Sequence, residues 1–231
     1  MTLLTSSVTK LASMNPTAPP RSPVTAPGYH LGRTPANKGR RYPAEVLTAD
    51  EVRGLLKACS RRAPTGIRNA AAIAVMYRGG LRLGELLALK PKDVDAKSGS
   101  VAILHGKGDR RRAVGLDPTA MALVMRWLDR RKTLGIGPRS PLFATLDGRP
   151  LKPSYLRTLL PRLAQKAGIA KRVHPHGLRH TLAFELMMEG KPVVLIQQTL
   201  GHASLSTTAR YLSHLAPKDV IEAMRQREWA V

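Results

Sequence analysis

The sequence predicts a mostly α fold of the α+β kind, with helices around a small antiparallel β-sheet or hairpin. Three observations carry this. Apolar residues recur at helical spacing through most of the chain beyond residue 43. One pair of short β-prone runs flanks a turn rich in glycine and charge. Glycine and proline punctuate the ends of the periodic segments, and no internal repeat is present.

The elements follow in order. Thr48-Ala49-Asp50-Glu51 has capping-box spacing, with Thr48 as N-cap and Glu51 reaching back. Val52, Leu55, Leu56 and Cys59 then mark the buried stripe of the first helix. Residues Gly66 to Tyr77 form an Ala-rich helix with Ile67, Ala70, Ala71, Ala74 and Val75 as its stripe, broken by Gly79-Gly80. A short helix runs from about Arg82 to Leu89 and stops before Pro91. Ser100 to His105 and Arg112 to Leu116 are the strand pair. Asp117-Pro118 opens a helix carrying Met121, Leu123, Val124, Trp127 and Leu128, and Gly135 and Gly137-Pro138 close it. Pro141-Leu142-Phe143 reads as a short extended piece. Tyr155 to Lys166 is helical through Pro161, with Gly168 at its end. Gly177 to Glu189 is a helix ended by Gly190, and Pro192 takes the first position of the next, which ends before Gly201. Two further helices are expected, Ser206 to His214 and Pro217 to Trp229.

Composition narrows the partners. The chain has 231 residues and a formal net charge of +23, a balance that attracts a polyanion or an anionic surface. No apolar run approaches the roughly 20 residues needed to span a bilayer, so no membrane partner is expected. The amino terminus lacks the pattern of a secretory signal. Cys59 is the single cysteine, which excludes an internal disulfide and a cysteine-based zinc site and fits a reducing cytoplasm. Aromatics make up 4% of residues, too few for a base-stacking single-strand binder, so double-stranded DNA contacted through its phosphates is the expected partner. Residues 1–43 hold seven prolines, six Lys or Arg and no acidic residue, and read as a disordered basic arm. The folded part is residues 44–231.

Six side chains could together cleave a phosphodiester without a metal. Two nonbridging oxygens must be neutralised as charge develops, and the planar fork of arginine suits them. Arg82 and Arg179 are the candidates. A tyrosine hydroxyl, Tyr211, can attack in line and store the bond energy as a phosphotyrosyl ester. Lys107, in the Gly106-Lys107-Gly108 turn, can protonate the leaving oxygen. His176, three residues before Arg179 and on the same helical face, can relay the tyrosine proton. His202 follows Leu200-Gly201 and completes the set, with Glu85 in support.

Taken singly, each has a plainer reading. Arg82 and Glu85 could be a surface ion pair, Gly106-Lys107-Gly108 a solvated hairpin turn, and Tyr211 a half-buried helix aromatic. His202 could simply follow a helix-ending glycine. His174 and His176 could suggest a metal, but no third ligand clusters with them in sequence, so no metal is expected.

Taken together, the order Arg-x-x-Glu, hairpin lysine, His-x-x-Arg, Leu-Gly-His and Tyr resembles the tyrosine recombinases of the phage-integrase family. The matching stretches are Tyr77 to Leu86, His105 to Gly108, His174 to Thr181 and Leu200 to Tyr211. The resemblance implies a helical catalytic domain and a site-specific recombinase or integrase that cuts and rejoins DNA through a 3′-phosphotyrosyl bond. It implies that Arg82 and Arg179 bind the scissile phosphate and that Lys107 is the general acid toward the 5′ oxygen. His176 would then be the general acid/base, His202 a hydrogen-bond donor to the phosphate, Tyr211 the nucleophile and Glu85 an ordering group. It also implies no metal, no ATP or other cofactor, and a homotetramer on paired sites, with the last helix docking on a neighbouring protomer.

One departure from the family stands in this sequence. Most members carry an amino-terminal helical domain that clamps the DNA, and 43 Pro-rich residues cannot build it. The expectation is a catalytic domain without a separate core-binding domain, with either the basic arm wrapping the duplex or an accessory DNA-binding protein supplying the clamp. Two alternatives share the residues: a non-catalytic DNA-binding protein on the same fold, and a topoisomerase of type IB character. A cytoplasmic, nucleoid-associated location follows from either.

Overall fold

The computed structural model describes residues 45–104, 111–201 and 225. The amino-terminal arm, the turn at His105 to Arg110 and the two helices expected beyond residue 205 therefore lie outside the described residues, apart from Arg225, which is helical.

Seven α-helices and a three-stranded sheet are formed among the described residues. Helix α1 is Ala49–Ala58, and its capping box is complete: Glu51 N–H donates to Thr48 Oγ1 at 3.2 Å and Thr48 N–H to Glu51 Oε2 at 2.7 Å. Helix α2 is Pro64–Arg78. The sequence marked one apolar stripe on it, but every residue from Gly66 to Tyr77 is buried. A helix buried on every face belongs inside a core, and α2 packs against both α4, Pro118–Thr133, and α6, Pro175–Met188. Its alanines let those neighbours approach on both sides. Helix α3 is Leu83–Ala88, shorter at both ends than expected.

The sheet has one more strand than the sequence disclosed. β1, Val94–Asp95, pairs antiparallel with β2, Ser100–Ile103, and β2 pairs antiparallel with β3, Arg112–Gly115. Two residues carry too little periodicity to announce β1. Its register, Val94 opposite Val101, is set by the turn that Asp95 nucleates with Lys97 and Ser98.

Asp117 caps α4 through Thr119 and Ala120 N–H at 3.0 Å each. The expected extended piece at Pro141-Leu142-Phe143 is a set of bends, with a single bridge between Ala144 and Pro150. The reason lies in competing partners. The Leu142 carbonyl accepts from Trp127 Nε1 and from the buried guanidinium of Arg131, both at 2.7 Å, and Leu142 N–H donates to Leu89 O. A segment so occupied has no ladder to join.

Helix α5 is Pro153–Lys166 and runs through Pro161 on its exposed face. Helix α7 is Val193–Leu200, with Pro192 as its N-cap rather than its first residue. One large core spans α1 to α6, including Leu55, Ile73, Trp127, Phe143, Leu156 and Leu178. Ala183, Ile196 and Leu200 form a smaller one between α6 and α7. No helix among the described residues is long and apolar enough to cross a membrane.

Candidate active site

The site is assembled from three segment ends: the α2–α3 loop, the start of α6 and the end of α7. Arg82 is the N-cap of α3, and its backbone N–H donates to Glu85 Oε2 at 2.8 Å. Its guanidinium donates to Glu85 Oε1 at 2.8 Å and to Gly201 O at 3.1 Å. The plain reading of Arg82 and Glu85 as a surface pair fails, because the Glu85 side chain is only 4% exposed. A buried carboxylate needs partners, and Glu85 has two arginines.

The second is Arg112 of β3, which sequence reasoning did not single out. Its terminal nitrogens donate to Glu85 Oε1 at 2.9 Å and Oε2 at 2.8 Å, the bidentate fork geometry. Burial alone would raise the Glu85 pKa. The hydrogen bonds and charges of Arg112 and Arg82 win, and hold it at about 2. Arg112 sat unnoticed in a run of three arginines, Arg110 to Arg112. The available signal was the strand period: Arg112 and buried Val114 point to the same face of β3, while Ala113 and Gly115 are exposed.

Helix α6 supplies the histidine and the second arginine. His174 is its N-cap, with Nδ1 accepting from Gly177 N–H at 2.7 Å. That hydrogen bond gives His174 a structural role, and no group of three or more His, Cys, Asp or Glu forms among the described residues. His176 is an exposed residue, yet its ring meets His180 edge-to-face with centroids 4.5 Å apart. Partial burial lowers its pKa, and the charges of Arg179, His174 and Arg82 lower it further. At neutral pH the imidazole is therefore unprotonated and able to accept a proton. Arg179 is 1% exposed and donates to Gly80 O at 2.6 Å and to Leu200 O at 2.5 Å. It ties the α2–α3 loop to the end of α7.

Gly201 closes α7 in the left-handed region, φ 61°, which favours glycine. A Cβ there would also lie 2.8 Å from the Arg112 guanidinium. Both α7-end carbonyls that the site arginines use, Leu200 and Gly201, immediately precede His202 in the chain.

Arg82, Glu85, His176 and Arg179 are thus brought together. Lys107, His202 and Tyr211 lie outside the described residues. A cleft of about 630 Å³ opens beside the assembled group, lined by Arg82, Arg157, Arg172, His174 and His176 together with apolar side chains. None of its lining residues is a carboxylate. A concave basic wall with a neutral imidazole can hold an oxyanion and move a proton beside it.

Comparison with known proteins gives a consistent picture. The sequence model of the phage integrase family matches residues 45–217. The chain is 34% identical over 190 residues to tyrosine recombinase XerC of Thermodesulfovibrio yellowstonii, an alignment covering 80% of this chain and 62% of that protein. It spans about three fifths of the length of such curated relatives (62% and 59% for two of them). The crystal structure of XerA recombinase superposes with a TM-score of 0.70 at 32% identity, covering 85% of this chain and 70% of that one. XerH site-specific recombinase, bound to a palindromic difH substrate in a post-cleavage complex, superposes with a TM-score of 0.66 at 30% identity, covering 80% of this chain and 54% of that one.

Proposed function

The chain belongs to the phage integrase family, and from that membership we propose that it is a site-specific tyrosine recombinase acting on double-stranded DNA. Residues 44–231 are its catalytic unit. The observation that carries the reading is the placement of Arg82 and His176 on one carboxylate-free cleft, with buried Arg179 tying the α2–α3 loop to the end of α7 and with His176 held neutral by partial burial and by its cationic neighbours.

In the proposed reaction Tyr211 Oη attacks the scissile phosphorus in line. His176 accepts the phenolic proton, the bond from phosphorus to the 5′ oxygen breaks, and Lys107 gives that oxygen its proton. Arg82 and Arg179, with His202, hold the nonbridging oxygens as charge develops. The product is a 3′-phosphotyrosyl ester and a free 5′ hydroxyl. Reversal onto the 5′ hydroxyl of a second duplex rejoins the strands, so neither metal nor ATP is consumed. We assign the assembly as a homotetramer on paired sites, at the nucleoid in the cytoplasm. The formal charge of +23 supports a DNA substrate.

The test is capture of the intermediate. Cells expressing the chain are lysed in denaturant, DNA bound covalently to protein is recovered and sequenced, and Tyr211→Phe is run in parallel. Adducts at a discrete repeated sequence, absent from the variant, are expected. Adducts scattered without site preference would indicate a relaxing topoisomerase instead. Absence of adducts from the unaltered protein would point to a DNA-binding role without chemistry.

A further inference from the structure

Arg112 takes part in no step of the reaction above, yet it is the best-anchored cation beside the site. Its side chain is 12% exposed. Its fork spans both oxygens of Glu85, and its Nε donates to Thr199 O at 3.4 Å. Glu85 Oε1 is shared, accepting from Arg82 at 2.8 Å and from Arg112 at 2.9 Å.

That sharing has two physical consequences. With both carboxylate oxygens gripped by Arg112, Glu85 cannot turn to take Arg82 in a bidentate pair of its own. Arg82 is left bound through a single terminal nitrogen to the carboxylate and the other to Gly201 O. The charges also differ. One carboxylate between two guanidiniums leaves a net positive charge at the cleft edge, whereas Arg82 and Glu85 alone would be neutral and attract a phosphate less. A lysine at 112 could supply the charge but not the planar fork that fixes the carboxylate.

We propose that Arg112 is a positioning residue for phosphate activation: through Glu85 it orients Arg82 toward the scissile phosphate, and it locks β3 to the end of α7. The inference rests on the recombinase reading of the site. β3 follows the segment that carries Lys107, the α7 end precedes His202, and Glu85 holds Arg82, so one side chain ties together the segments that supply three groups of the reaction.

The test uses the full chain and a nicked duplex bearing the sequence recovered by the capture experiment. Single-turnover cleavage at saturating protein is measured beside non-covalent affinity in a Tyr211→Phe background. Arg112→Gln is expected to slow cleavage about 10- to 100-fold while changing affinity by no more than about 2-fold. In an Arg82→Lys background the same change is expected to cost several-fold less, because the main part of its effect passes through Arg82. Arg112→Lys, which keeps the stem and the charge and so preserves the fold most closely, is expected to recover little of the rate. An equal penalty in both Arg82 backgrounds, an affinity loss matching the rate loss, no penalty at all, or full recovery by lysine would each overturn the proposal. Failure of the unaltered protein to cleave would instead overturn the recombinase reading.

Discussion

His176 and Glu85 show how single residues carry this site. Partial burial of the His176 ring, and then the charges of Arg179, His174 and Arg82, put its midpoint below the ordinary histidine value of 6.5. Titration of its ring protons by NMR should show this, and Arg82→Gln should move the midpoint upward by removing one cation. A midpoint at or above 6.5 in the unaltered protein would contradict the placement. Cleavage that needs a neutral His176 should accordingly fail only as the pH drops through that lowered midpoint, below the ordinary 6.5.

Glu85 titrates with the opposite consequence. Its folded pKa of about 2 lies below the ordinary 4.5, so between these values the unfolded chain binds more protons than the folded one. Its contribution to stability is complete above about pH 4.5 and is lost as pH falls toward 2. Glu85→Gln should remove this part of the acid sensitivity. It should also cost on the order of 3 kcal/mol at neutral pH, because it strips a buried counter-charge from two arginines. Chemical denaturation across pH checks both.

Among elements, the turn at the end of α7 matters most. Gly201 and Gly190 both adopt the left-handed conformation, φ 61° and 69°. Alanine at either should cost roughly 1–2 kcal/mol for the backbone alone. Only at 201 would the new methyl meet Arg112, 2.8 Å away, whereas nothing lies within 4 Å at 190. Both variants should lose similar stability in thermal unfolding, and only Gly201→Ala should lose cleavage as well. Equal cleavage by the two would mean that the Arg112 contact does not matter to the site.

The elements also show what was legible in the sequence. Caps and helix ends were, because a Thr48 or an Asp117 satisfies orphan amides by purely local chemistry. That Arg82, Glu85, His176 and Arg179 lie near one another was expected from their motifs, each set at the punctuated start of a helix. What escaped depended on distant partners. The all-round burial of α2 comes from α4 and α6, the bends at Leu142 come from Trp127 and Arg131, and the importance of Arg112 comes from a carboxylate 27 residues earlier. No periodic or capping pattern in the sequence announces those pairs.

At the scale of the molecule, the proposed DNA binding should be governed by charge. Each phosphate neutralised releases counterions, so binding should weaken steeply with salt. Deleting residues 1–41 should make that dependence shallower, each lost phosphate contact lowering the slope by about 1. An unchanged slope would mean the basic arm does not touch DNA. Affinity measured across a salt series for both proteins decides it.

The proposed reaction bonds Tyr211 to a 3′ phosphate. The most direct measurement captures the covalent protein–DNA complex, digests the DNA with nuclease and the protein with trypsin, and maps the modified peptide by mass spectrometry. A 3′-linked nucleotide is expected on the peptide running from Tyr211 to Lys218, with fragmentation placing it on the tyrosine. A nucleotide on any other residue, or one joined through its 5′ phosphate, would contradict it.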